Sequence, residues 1–279
     1  MTVEPMAGSG QPIFVRRFDR YNRLLHGFLM LSFLGLAFTG MPLLFSHEAW
    51  AARLARLFGG FGSAGILHRL FALTMIAVFV LHLVRIGRRV FQGKDLSMLW
   101  GPSSMVPQPR DLLEMVGHIR WFVGAGPRPK FDDFTYWEKF DYWAVFWGMA
   151  IIGGSGMLLW MPEFFAHLLP GWVFNIAMIV HGEEALLAVG FIFTIHFFNG
   201  HLRPEKFPMD TVIFSGRVTL DELQHERPDQ YARLIREGRL DEHVIGDAPA
   251  WVHTLGRVVG TLAVLFGLTM VGLILYAVQ

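Results

Sequence analysis

The chain has 279 residues, 53% of them hydrophobic and 14% aromatic against 17% charged, with a mean hydropathy of +0.41. Soluble domains are less apolar and more charged than this, so the composition points to an integral membrane protein of all-α class. The formal net charge is +1 and there is no cysteine. Nothing in the charge balance favours nucleic acid, and iron–sulfur ligation, CxxCH attachment, thiolate catalysis and disulfides within the chain are excluded.

Met1 to Gln11 is polar and lacks a charged head followed by an apolar stretch, so no removable signal peptide is read there. The first membrane helix then serves as the insertion signal. Five apolar segments follow, about 24–45, 66–86, 142–161, 172–198 and 255–278, each near the roughly 20 residues a spanning helix needs. His47 to Gly65 reads as a loop with an interfacial helical turn. Val90 to Asp141, full of Pro, Gly, Arg and aromatics, reads as a long connection, whereas Pro162 and Pro170–Gly171 mark a tight one. In the polar stretch Leu202 to Trp251, residues Leu220 to Leu240 carry helical spacing and predict one small surface helix with a solvated face.

The expected organisation is a transmembrane domain of four core helices over 1–215, a cytoplasmic polar connection over 216–250 and a fifth transmembrane helix over 251–279. Arg16, Arg17, Arg20 and Arg23 precede the first helix; Arg85, Arg88, Arg89 and Lys94 follow the second; Arg203 and Lys206 follow the fourth. With alternating helices these share one side, which the positive-inside rule makes cytoplasmic. The N-terminus is then cytoplasmic and the C-terminus outside, in a bacterial inner membrane. Arg53, Arg56 and Arg69 on the other side oppose that assignment without reversing it.

Two apolar segments each hold a histidine pair: His68 and His82, separated by 14 residues, and His181 and His196, separated by 15. On a regular helix the first pair lies roughly 40° and about 21 Å apart, the second roughly 60° and about 22 Å. One face of each helix thus offers an imidazole near either side of a bilayer, and parallel helices could clamp two stacked haems between them. His68 and His181 form one ligand pair. At the other side His196 has two candidate partners at suitable depth, His82 and His26, of which the helix-face argument favours His82. His201 lies 20 residues beyond His181, roughly 200° around a regular helix, and points away from that face. It is a candidate for a third haem, a quinone or a propionate contact. Glu183 and Glu184 could orient an imidazole, pair with Arg69, conduct protons or sit in interfacial water. His196 and His201 together make a poor shared metal site at i, i+5 spacing.

The first helix runs Arg20-Tyr-Asn-Arg-Leu-Leu-His26-Gly and continues to Leu36-Ala-Phe-Thr-Gly40. This resembles the opening of the b-type cytochrome subunits of membrane-bound formate dehydrogenase, nickel–iron hydrogenase and thiosulfate reductase, with an R-x-x-H start and a later T-G. His68, the His181/His196 pair, and Gly126-Pro-Arg-Pro-Lys130 followed by Tyr136-Trp-Glu-Lys139-Phe fit the same pattern, over roughly residues 14–215. The resemblance implies a four-helix haem-binding core holding two haems b, with His68 and His181 on one and His26 and His196 on the other. It departs from the pattern in His82, in the fifth helix and in the segment His201 to Asp210.

The resemblance further implies electron transfer between a quinone pool, menaquinone or ubiquinone, and an extracytoplasmic redox subunit of multihaem, Fe–S or molybdenum type. The chain is then an electron-transfer subunit rather than a complete enzyme. Tyr136, Glu138, Lys139 and His201 are the quinone candidates; the first three read equally as interfacial anchors. The rival classes are a haem-free transporter or proton channel using buried histidines, and a passive membrane anchor.

Overall fold

The computed structural model describes residues 12–207 and 209–279. The stretch Met1 to Gln11, on which the signal-peptide expectation rests, lies outside the described residues. Five helices are long and apolar enough to cross a membrane: Arg20–Leu44, Phe61–Gln92, Tyr136–Trp160, Trp172–Leu202 and Ala250–Ala277. Helices suit this role because every interior backbone group is satisfied within the segment. Their outward residues, Leu31, Leu70, Leu81, Leu187, Leu262 and Leu265 among them, are exposed. So much bare apolar surface is tolerable in lipid and not in water. The protein is a multi-pass, helical membrane protein.

Each predicted segment falls on an observed helix, but the third starts at Tyr136 rather than at 142. Thr135 and Glu138 form a capping arrangement there: Glu138 Oε2 accepts from the Thr135 amide at 2.8 Å, and Thr135 Oγ1 accepts from the Glu138 amide at 3.3 Å. The helix therefore begins in polar sequence that hydropathy alone assigns to the connection.

The chain divides into two compact units, each assembled from three segments. One contains residues 24–95, 140–210 and 256–279. Its core gathers Ala37, Met41, Phe45, Val189, Phe193, Ala263 and Met270. Phe193 meets Phe33, Phe197 and Phe266 edge-on, with centroids 5.3–6.0 Å apart.

The other unit contains residues 1–23, 96–139 and 211–255. Here the structure departs from the expected connections. A three-stranded antiparallel sheet, ordered β2-β1-β3, joins β1 (Phe14–Arg16), β2 (Arg217–Thr219) and β3 (Val244–Ile245), with Val15 opposite both Val218 and Val244. The single surface helix expected over 220–240 is two, Leu220–Glu226 and Pro228–Arg236. Pro228 breaks them by disfavouring a helical Arg227. Their inner face is not solvated: Leu223 and Leu234 are buried against Val15 and Val218.

The long connection before the third spanning helix also contains a helix, Pro109–Phe122, started by Pro109 and by a reciprocal cap between Gln108 and Asp111. Ion pairs bind this unit together. Arg233 reaches Asp132 and Asp133 at 2.8 Å each, Arg227 reaches Glu138 at 2.8 Å, and Lys139 reaches Asp111 at 2.8 Å. Arg17 joins Glu138 at 3.4 Å. Burial, reinforced by the nearby Arg227, lowers the Arg17 guanidinium to about 10.

Candidate functional site

His68 and His181 face each other from the second and fourth spanning helices, their ring centroids 6.2 Å apart and their planes crossed at 81°. Two imidazoles bound trans to one metal, with metal–nitrogen bonds of about 2 Å, have centroids about 6 Å apart. The ring spacing fits one ion between them.

Both rings are held the same way. Thr39 Oγ1 donates to the Gly35 carbonyl at 2.7 Å, so at 3.0 Å it accepts from His68 Nδ1. The Leu36 carbonyl is a second partner of His68. Ser155 Oγ donates to the Ile151 carbonyl at 2.6 Å and lies 3.3 Å from His181 Nδ1, which donates to the Ile152 carbonyl at 3.0 Å. Because a carbonyl can only accept, Nδ1 carries the proton and Nε2 keeps the lone pair a metal requires.

Each ring also comes close to a glycine on the preceding spanning helix. A Cβ at Gly40 would stand 2.9 Å from His68 Cε1, and a Cβ at Gly156 would stand 2.9 Å from His181 Cε1. Thr39-Gly40 and Ser155-Gly156 are therefore equivalent steps, one for each ring. The π-helical turn Met149–Gly153 leads into the second step. Such a turn disturbs the regular i→i−4 ladder, and the Ile152 carbonyl within it serves His181.

At the other histidine group, His196 Nδ1 lies 3.0 Å from Asp141 Oδ2 on the third spanning helix. A carboxylate accepts, so here too Nε2 remains free. His26 lies within electrostatic reach of both His196 and His201. His82 stands apart from this pattern. Its Nε2 is paired with the Tyr142 hydroxyl at 2.9 Å, its ring packs edge-on against Tyr142 and Phe146, and its Nδ1 is buried without a protein partner. His26, His196 and His201 thus act on one another electrostatically, whereas His82 is paired with Tyr142.

His201 joins that group because the fourth helix is not regular. Two π-helical turns, Ile192–His196 and Phe198–Leu202, take more residues per revolution and rotate everything after them backwards. The direction expected for His201 from a uniform helix is corrected accordingly. Its Nδ1 is buried without a protein partner.

Tyr136, Glu138 and Lys139 are engaged within the polar unit: Tyr136 Oη lies 3.1 Å from His118 Nδ1, while Glu138 and Lys139 are in the ion pairs above. Glu184 accepts from Trp147 Nε1 at 3.1 Å, and Arg69 lies over the Trp160 ring at 5.8 Å. Ser155 and Asp141 escape a reading based on histidine spacing. The signals for them are a second hydroxyl–glycine step and a carboxylate near the start of the third spanning helix. Neither a family model nor a curated protein matches this chain.

Proposed function

We propose that this protein is a membrane cytochrome b that carries electrons across the bilayer between the quinone pool and a partner redox subunit. The observation that carries the proposal is the His68–His181 pair, 6.2 Å apart between centroids, each ring with Nδ1 anchored and Nε2 unprotonated. Two nitrogen ligands are too few for a structural zinc site, which uses four protein ligands, but suffice for an iron already held in a macrocycle. Among the described residues no cluster of three or more His, Cys, Asp or Glu is gathered for a metal bound by protein alone.

His68 and His181 would hold one haem b, and His26 and His196 the other, in keeping with the resemblance to the formate dehydrogenase-type b subunits. When bound, each haem iron accepts and gives up one electron. The protein's part is to fix the four imidazoles. The glycine steps at Gly40 and Gly156 let backbone approach the rings, the Thr39, Ser155 and Asp141 side chains set their tautomers, and the apolar helices exclude water.

His201, with its buried and unpartnered Nδ1, is the better quinone contact. Glu138 and Lys139 are already consumed by Arg227 and Asp111. Positive charge after the second and fourth spanning helices supports a cytoplasmic face at the His196 end, in a bacterial inner membrane. The partner would then dock outside, near His68 and the hollow lined by Arg69, Trp160, Glu163 and Phe164.

The test is a reduced-minus-oxidised spectrum of the purified chain with haem counted per polypeptide. Two b haems are expected, falling to one in His68→Ala and in His26→Ala and remaining two in His82→Phe. A chain without haem sinks the proposal and favours a transporter.

A further inference from the structure

The helix Pro109–Phe122 is turned inside out. Its buried residues are Asp111, Glu114 and His118, whereas Leu112, Leu113, Val116, Ile119 and Phe122 are exposed, Leu113 at 73% and Phe122 at 72%. At about 100° per residue, Leu112, Val116 and Ile119 fall within roughly 60° of one another, on the side away from the three buried polar groups. A helix beside water alone places these faces the other way round.

The polar face is engaged inside its own unit, with only Glu114 Oε2 among its buried polar atoms lacking a partner. Lys139 bonds Asp111 at 2.8 Å, and Arg110 bonds Glu114 at 2.6 Å. His118 meets Tyr136 Oη at 3.1 Å and sits among Phe131, Trp137 and Phe122. Two of these partners, Tyr136 and Trp137, form the first turn of the third spanning helix. Tyr and Trp gather where a membrane helix meets the headgroups. A helix packed on that turn is held at the same depth.

We propose that Pro109–Phe122 lies in the membrane–water interface with Leu112, Leu113, Val116 and Ile119 immersed in acyl chains, fastening the polar unit to the bilayer surface. The occupant of the apolar face is lipid. Cations flank it: Arg120 and Lys130 are exposed, and Arg128 lies over the Trp121 ring at 5.6 Å, which suits anionic headgroups. The inference is independent of any haem.

The chain contains no cysteine, so single cysteines can be labelled without background. Nitroxides at Leu112→Cys and Ile119→Cys, in the full chain reconstituted into phosphatidylglycerol-containing liposomes, are compared with two standards. Leu265→Cys on the fifth spanning helix reports lipid, and Glu242→Cys in the polar unit reports water. Relaxation by oxygen and by the aqueous nickel complex NiEDDA is measured. The expected result is oxygen contact near that of Leu265→Cys, with nickel contact several-fold below that of Glu242→Cys. Nickel contact equal to Glu242→Cys overturns the proposal. So does weak contact with both reagents, since the face is then covered by protein, whether a second copy or a partner subunit.

Discussion

Asp141 Oδ2 lies 3.0 Å from His196 Nδ1, a carboxylate against a candidate ligand histidine. The rings of His68 and His181 are anchored instead by neutral hydroxyls and carbonyls. A carboxylate raises the basicity of its imidazole, which favours the oxidised metal. If His196 holds a haem as proposed, Asp141→Asn is expected to raise the midpoint potential of that haem and leave the one proposed on His68 and His181 unchanged, as read by redox titration of the absorbance band. Asp141→Ala should also weaken haem retention, by roughly 10–100-fold.

Gly40 and Gly156 set equal steric limits. A methyl group at either position meets a histidine ring carbon at 2.9 Å, and the ring has no free direction in which to yield without losing its Nδ1 bond. Gly40→Ala or Gly156→Ala is expected to cost about 1–3 kcal/mol of overpacking. If His68 and His181 hold a haem as proposed, each variant should deplete that haem and spare the second, a difference that the haem-to-protein ratio of the purified variants will register.

Lys139 and Asp111 are both largely buried, at 7% and 12% side-chain exposure, and are paired at 2.8 Å. Removing one partner strands the other charge. Lys139→Met is expected to destabilise the polar unit by roughly 3–5 kcal/mol, measured as a lower denaturation midpoint in detergent. Lys139→Met with Asp111→Leu should recover most of it.

Burial raises the pKa of Glu114 above its ordinary value of 4.5, and the opposing bond from Arg110 does not cancel it. The Arg110 guanidinium itself is held above its usual range: burial lowers it, but Glu114 and Asp229 more than compensate. The two shifts pull oppositely on the pair, and for pH dependence the carboxyl governs because it is the group that titrates in the acid range. A carboxyl raised on folding contributes stability below its unfolded pKa, lost as pH rises through its folded pKa. Glu114→Gln is expected to flatten this fall above pH 4.5 and to match or exceed the parent in stability at pH 7, by thermal unfolding across that range.

The spans were legible because a run of about 20 apolar residues has few other uses. The start of the third was not, since Glu138, Lys139 and Asp141 interrupt the run and only their partners, distant in sequence, make a helix there tolerable. The sheet was illegible for a different reason: strands of three, three and two residues are too short to alternate visibly, and Val15 pairs with residues about 200 positions away. Histidine spacing marked the candidate ligands. The engagement of His82 Nε2 by Tyr142 left no mark in that spacing, and the two π-helical turns before and around His201 leave no periodic trace.

The near-perpendicular crossing of His68 and His181, at 81°, is fixed by the protein itself. Each ring has a glycine close by and an anchored Nδ1, so neither can turn parallel to the other without breaking one of these contacts. If the pair holds a haem as proposed, the helix packing would set how the two imidazole π systems meet the iron, and so the magnetic character of the oxidised group.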